Sequence, residues 1–188
     1  MTGTSAVGVK ALKNQDGFTL IDMLFVVALI GLLSTLAIPG LVRAKIAAHS
    51  ASALGTMRLV NSSQLSYAIT CGLGFYAPDF PTLTVKPPLA SEAFLSPDLA
   101  TGPTFIKSNY NFSMAGTPQP GAPATCNGLA AGAAAPGYAI VADDLNAVMP
   151  IGGRFFGTNV DGVIYEHKFS LAATMPEAGA PPLGAPIK

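Results

Sequence analysis

Asp22 is the only charged residue between Phe18 and Val42 in a run of about 25 residues, long enough as a helix (~37 Å) to cross a bilayer core. A carboxylate near the centre of such a segment costs roughly 2.5–3.5 kcal/mol, and less near an end. A plain anchor has no use for it. A partner cation would remove the cost. If the chain is cut between Gly17 and Phe18, the new α-amine, with an ordinary pKa of about 7.7–8.0, is largely protonated at pH 7. Asp22 of a neighbouring copy can then pair with that amine in a dry helix bundle. Any other axial stagger would leave both charges buried and unpaired, so the pair would also set the register between copies.

The remaining chemically capable residues form no catalytic pattern. Cys71 and Cys126 lie too far apart for a CxxC motif. Two readings stand for them. Outside the cytoplasm they form one disulfide, worth about 4 kcal/mol on the chain-entropy model. In a reducing compartment they are two free thiols. His49 and His167 have no triad or metal-centre context and read as solvated surface residues. The stretch GTNVDG reads as a hairpin turn and not as a phosphate loop. Asn61-Ser62-Ser63 and Asn111-Phe112-Ser113 fit the glycosylation pattern, which is short enough to recur by chance. No enzyme is expected.

Charge and composition narrow the class further. The 188 residues carry a formal net charge of zero, and only 11% are charged. No basic patch is available for a phosphate backbone, so nucleic acid is not an expected partner. Residues 1–17 are short, polar and weakly basic, with Lys10 and Lys13, and read as a leader. The apolar run that follows is too long for an ordinary signal-peptide core of roughly 7–15 residues, and Ala37-Ile38-Pro39 is a poor cleavage site. Three readings compete: a single-pass anchor, a cleaved secretory signal, and a helix kept after cleavage on its N-terminal side. Asp22 favours the third.

Gly17-Phe18-Thr19-Leu20-Ile21-Asp22, followed by an apolar run with Gly31 and Pro39, resembles the class III signal of type IV pilins and type II secretion pseudopilins. The resemblance implies that a prepilin peptidase cuts after Gly17 and methylates Phe18. It implies an assembly role for Phe18, Asp22, Gly31 and Pro39, and self-assembly from an inner-membrane platform. The chain departs from the family in having Asp at the fifth mature position, where Glu is usual. The carboxylate therefore reaches about 1.5 Å less far. A second departure is Asp16, where a basic residue is common.

The elements that must carry this arm follow. Residues 18–42 form the hydrophobic transmembrane or filament-core helix. Residues 43–70 form an amphipathic helix with a stripe through Ile46, Ser50, Ala53, Leu54, Met57, Val60, Leu65, Ala68 and Ile69. Together they predict one long helix with Gly31, Pro39 and Gly40 as weak points. Cys71-Gly72-Leu73-Gly74 ends it. Residues 77–104 read as irregular, with at most a short helix over 91–95. Strands are expected over 106–114, 138–142 (stopped by Asp143-Asp144), 153–158 and 163–166, the last two as a hairpin around Asp161-Gly162. Residues 115–137 are a loop around Cys126. The head covers 71–174, and 175–188 is a loose Pro/Gly/Ala tail.

This is an α+β plan, a long N-terminal helix packed on a small antiparallel sheet, and it matches the pilin-like roll. SYAITCGLGFYAP and GRFFGTNVDGVIYE also resemble stretches of secretion pseudopilins. By that resemblance Asp143, Asp144 and Asp161 are candidate calcium ligands, although their spacing does not fit an EF-hand and turn-forming acids are the plainer reading. The expected function is a structural subunit of a type IV pilus-like filament. It waits as a single-pass inner-membrane protein with its head in the periplasm, and it enters a periplasmic or extracellular filament after cleavage. The alternatives are a type II secretion pseudopilin and an anchored binding domain that never polymerises.

Overall fold

The computed structural model describes residues 17–100, 102–145 and 153–187. Apart from Gly17, the expected leader lies outside the described residues. The chain divides into two compact units, Met1–Ala44 and Lys45–Lys188. Helix α1 is Leu20–Thr70, with Pro39 inside it. Its residues 20–44 belong to the first unit. They are exposed throughout except for half-buried Ser34.

In the second unit, the rest of α1 packs on a sheet through Ser50, Ala53, Met57, Val60, Gln64 and Tyr67, with Cys71 just past its end, all buried. These positions alternate steps of three and four, which keeps them on one face of a helix. The expected stripe is correct as far as Val60 and again at buried Ala68, but it departs at two positions. Leu65 and Ile69 point outward at 55% and 73% exposure, while Ser63, Gln64 and Tyr67 are buried. Gln64 disguised the true face. Its amide accepts from the Ala77 N–H at 3.0 Å and donates to the Ala77 carbonyl at 2.8 Å, so a polar residue is satisfied in the core.

The helix ends at the expected glycines. Gly72 has no room for a side chain, since a Cβ there would lie 2.1 Å from the Phe75 carbonyl oxygen. Leu73 takes a left-handed backbone at φ 52° and Gly74 follows at 94°. A five-residue helix α2, Phe80–Thr84, comes next. Asp79 caps it by accepting from the Thr82 amide and hydroxyl at 2.9 and 2.6 Å, and Pro81 sits in its first turn. The short helix expected over 91–95 is absent, and that stretch is a series of bends. The capping acid and early proline of 79–81 were the stronger start signal.

Six strands form one antiparallel sheet in chain order: β1 Thr104–Lys107, β2 Tyr110–Ala115, β3 Ala139–Asp144, β4 Phe155–Asn159, β5 Ile164–His167 and β6 Ala185–Pro186. The single strand expected over 106–114 is instead a hairpin. Ser108 and Asn109 both have positive φ, the geometry of a two-residue turn that matches strand twist. Strand β3 continues through the acids expected to stop it, pairing Asp143 with Asn111 and Asp144 with Tyr110. The β4–β5 hairpin is as expected, with Gly162 at φ 73°.

The sheet's inner face carries Phe105, Tyr110, Phe112, Met114, Ile140, Ala142 and Phe156 into the core shared with α1 and α2. A smaller cluster on the other face joins Val141 and Tyr165 to Leu171 and Met175. The tail expected to be loose, as far as it is described (175–187), is held by specific partners. β6 pairs with β5, and Asn159 donates to the carbonyls of Pro176 and Gly179 at 3.1 and 2.6 Å. Glu177 holds the Thr117 amide and hydroxyl at 2.7 and 2.6 Å. Composition favoured a coil, but specific partners decide the path of this segment.

Candidate functional site

The first unit is a helix with its apolar side chains outward. An 18-residue window of α1 has a mean hydropathy of 2.4, long and apolar enough to cross a membrane, and none of it is buried within the chain. Phe18 is 84% exposed. A Cβ added at Gly31 would meet nothing within 4 Å, so nothing in the chain itself requires glycine there. Ser34 and Thr35 turn their hydroxyls back to the carbonyls of Ile30 and Leu32 at 2.8 and 2.7 Å, which leaves the surface uniformly apolar.

Asp22 has a partner within its own chain, Thr19. The Thr19 amide and hydroxyl both donate to Asp22 Oδ2, at 3.0 and 2.5 Å, and the Asp22 amide donates back to Thr19 Oγ1 at 3.3 Å. Thr19 also supplies the first carbonyl of the helix ladder, to Met23. This is a capping box, with the acid at the third helical position beside the positive end of the helix dipole. The pattern Thr-x-x-Asp ahead of an apolar run was visible in the sequence. The carboxylate thus has two chemical uses: closing its own helix, and pairing with an external cation through its other oxygen.

Cys71 and Cys126 are bonded, with Cα atoms 4.9 Å apart, which decides between the two readings of the pair. The bond ties the end of α1 to the excursion between β2 and β3. Asn127 reinforces it. Its amide donates to the Thr82 carbonyl at 2.7 Å and accepts from the Thr125 hydroxyl at 2.6 Å. No spacing rule pointed to Asn127. Beside the bond lies a mostly apolar cavity of about 460 Å³, whose lining includes Thr70, Pro87, Leu89, Phe94 and Cys126 and one acid, Glu92.

The calcium candidates do not converge. Asn159 pairs with Ala139, which puts the turn bearing Asp161 at one end of β3 and Asp143-Asp144 at the other, roughly 13 Å away along the strand. Asp161 accepts from the Gly179 amide at 2.8 Å, and Asp144 from the Asn109 amide at 3.0 Å. Only Asp143 Oδ1 is buried without a hydrogen-bond partner among the described residues. One such oxygen does not make a calcium shell of six to eight, so these residues do not fit the ion. Among the described residues, no three of His, Cys, Asp and Glu gather as a metal set.

The remaining candidates serve structure. His49 is half-buried on α1, and His167 Nδ1 accepts from the Phe169 amide at 3.2 Å. Asn61 donates to the Thr158 hydroxyl at 3.0 Å and accepts from the Tyr138 hydroxyl at 3.2 Å, while Asn111 lies mid-sheet in β2. Burial pushes the phenols of Tyr67, Tyr110 and Tyr138 upward, so they stay protonated and act as hydrogen-bond groups, as between Tyr110 and Ser50 at 3.1 Å. Arg154 grips Glu166 with two bonds, at 2.5 and 2.6 Å, and lowers its pKa.

Comparison of the chain with protein-family models, curated proteins and solved structures gives no match. What stands is a long apolar N-terminal helix with an antiparallel sheet, compatible with a pilin-like fold and with a single-pass anchor.

Proposed function

We propose that the chain is a structural subunit of a type IV pilus-like filament, assembled from the inner membrane after a prepilin peptidase cuts between Gly17 and Phe18. The observation that carries this reading is the first unit's helix. It is apolar on all sides, is unburied by its own chain, and follows Gly17-Phe18 with an acid five residues past the glycine. Such a surface needs lipid before assembly and other copies of itself after. Gly31, which nothing in the chain requires, gives a neighbouring helix close approach. Asp22 Oδ2 is held by Thr19, and Oδ1 is available to the α-amine of a neighbour's Phe18. The disulfide fits an oxidising compartment for the head.

The decisive experiment is the intact mass and N-terminal sequence of protein purified from its native membranes, followed by imaging of Asp22→Ala. The expected chain begins at methylated Phe18, and Asp22→Ala is processed normally yet forms no filaments. A chain that retains residues 1–17 refutes the reading, as do normal filaments from Asp22→Ala. Fibre length then separates a pilus from a type II secretion pseudopilus. One observation favours a non-polymerising anchored domain. The capping box already satisfies Asp22 within its own helix, so an acid there does not by itself demand a partner. In that case Asp22→Ala affects only the helix start.

A further inference from the structure

The two sulfurs of the disulfide are not equivalent. Cys71 is 3% exposed and belongs to the main core, with Tyr67 and Leu83. Cys126 is exposed and lines the mostly apolar cavity of about 460 Å³ with Pro87, Leu89 and Phe94. Thiol–disulfide exchange proceeds by attack of a thiolate on one sulfur, with the other leaving, and access decides which sulfur is attacked. Attack runs along the line of the S–S bond. A nucleophile aimed at Cys71 would have to arrive through the packed core. One aimed at Cys126 arrives from the cavity side.

We propose that Cys126 is the protein's thiol-exchange site, the sulfur through which an external thiol or a dithiol oxidoreductase makes and breaks this bond. In the forming direction, the Cys126 thiolate attacks the oxidant's disulfide and expels one of its sulfurs as a thiolate, giving a mixed disulfide. The Cys71 thiolate then attacks Cys126 Sγ and expels the oxidant's second sulfur. Two electrons pass to the oxidant, and the two protons given up by the cysteines end on its two thiols. Reduction retraces the path. An external thiolate bonds to Cys126 Sγ and Cys71 leaves into the core, where burial disfavours its thiolate and makes it a poor leaving group. Exchange is therefore slow but confined to one sulfur. The inference does not depend on filament assembly.

The full chain in detergent micelles, incubated with reduced glutathione without denaturant and quenched with an alkylating agent, provides the test. Peptide mass mapping is expected to find glutathione on Cys126 at least tenfold over Cys71, with the alkyl group on Cys71. In denaturing urea the preference should vanish, because it arises from tertiary burial. The single variants read the forming direction with oxidised glutathione: Cys71→Ser captures it on Cys126, and Cys126→Ser captures at least tenfold less. Equal labelling of the two cysteines in the folded chain, a preference that survives in urea, or no adduct short of unfolding overturns the proposal.

Discussion

Replacing Gln64 with leucine puts a side chain of similar length into a fully buried site on α1. The binary pattern of the sequence would welcome the change. The structure forbids it. Gln64 is wholly buried and bonds both polar groups of the Ala77 backbone, at 3.0 and 2.8 Å, and Ala77 is itself wholly buried. Leucine leaves that N–H and C=O without partners, at roughly 1–3 kcal/mol each. The gain in apolar burial offsets about 1.5–3 kcal/mol at most. A net loss of about 2 kcal/mol, within a range of roughly 0.5–3 kcal/mol, is expected from these terms. The matched control is Leu65→Ala, one residue away but 55% exposed, which should cost no more than about 0.5 kcal/mol. Denaturant unfolding of the full chain in micelles, followed by tyrosine near-ultraviolet circular dichroism, reads both. The reasoning fails if Gln64→Leu costs less than about 0.5 kcal/mol. It also fails if Leu65→Ala costs the roughly 2–5 kcal/mol of a core leucine.

Gly157→Ala introduces a Cβ 2.8 Å from Met175 Sδ and 3.1 Å from Leu171, so a loss of about 1–3 kcal/mol is expected. Met175→Ala should relieve most of that loss in a double-mutant cycle. The Arg154–Glu166 pair is partly exposed, so Arg154→Gln should cost only about 0.2–1 kcal/mol at pH 7. Because the folded-state pKa of Glu166 is lowered, that contribution is complete above the unfolded value of about 4.3 and fades as pH falls through the folded one. The melting temperatures of wild type and variant should therefore converge in acid, and a constant gap from pH 7 to pH 2 would contradict this. Thr19→Val removes the capping hydroxyl and should weaken the first turn of α1 by about 1 kcal/mol, or roughly fivefold in amide exchange at Asp22 in micelles. Unchanged exchange there would dismiss the capping box.

Local rules reach far in this chain because its strongest signals are local. The apolar run with its acid, the glycines that end α1 and the Asp-Gly hairpin each rest on the covalent preferences of a few adjacent residues. The alternation of Tyr110, Phe112 and Met114 was equally legible, and all three are buried. The Ser108-Asn109 turn was not, since Ser-Asn is a weak turn signal and both residues reach positive φ because paired strands hold them there. Asp143 and Asp144 looked like strand breakers, yet cross-strand partners carry them inside β3.

By itself, the sequence determined an α+β chain, an N-terminal helix that its own domain cannot bury, and the one acid within it. Hydropathy and helical period are additive along the chain, so they survive without a structure. Only the tertiary structure decided which face of α1 enters the core, because one buried amide satisfied by Ala77 outweighs two leucine-like positions on the neighbouring face. Tertiary structure also joined Cys71 to Cys126, separated the three aspartates, and tied down the C-terminal residues through Asn159 and Glu177. Each of those outcomes depends on groups far apart in sequence meeting at hydrogen-bond or bonding distance, which no local pattern encodes.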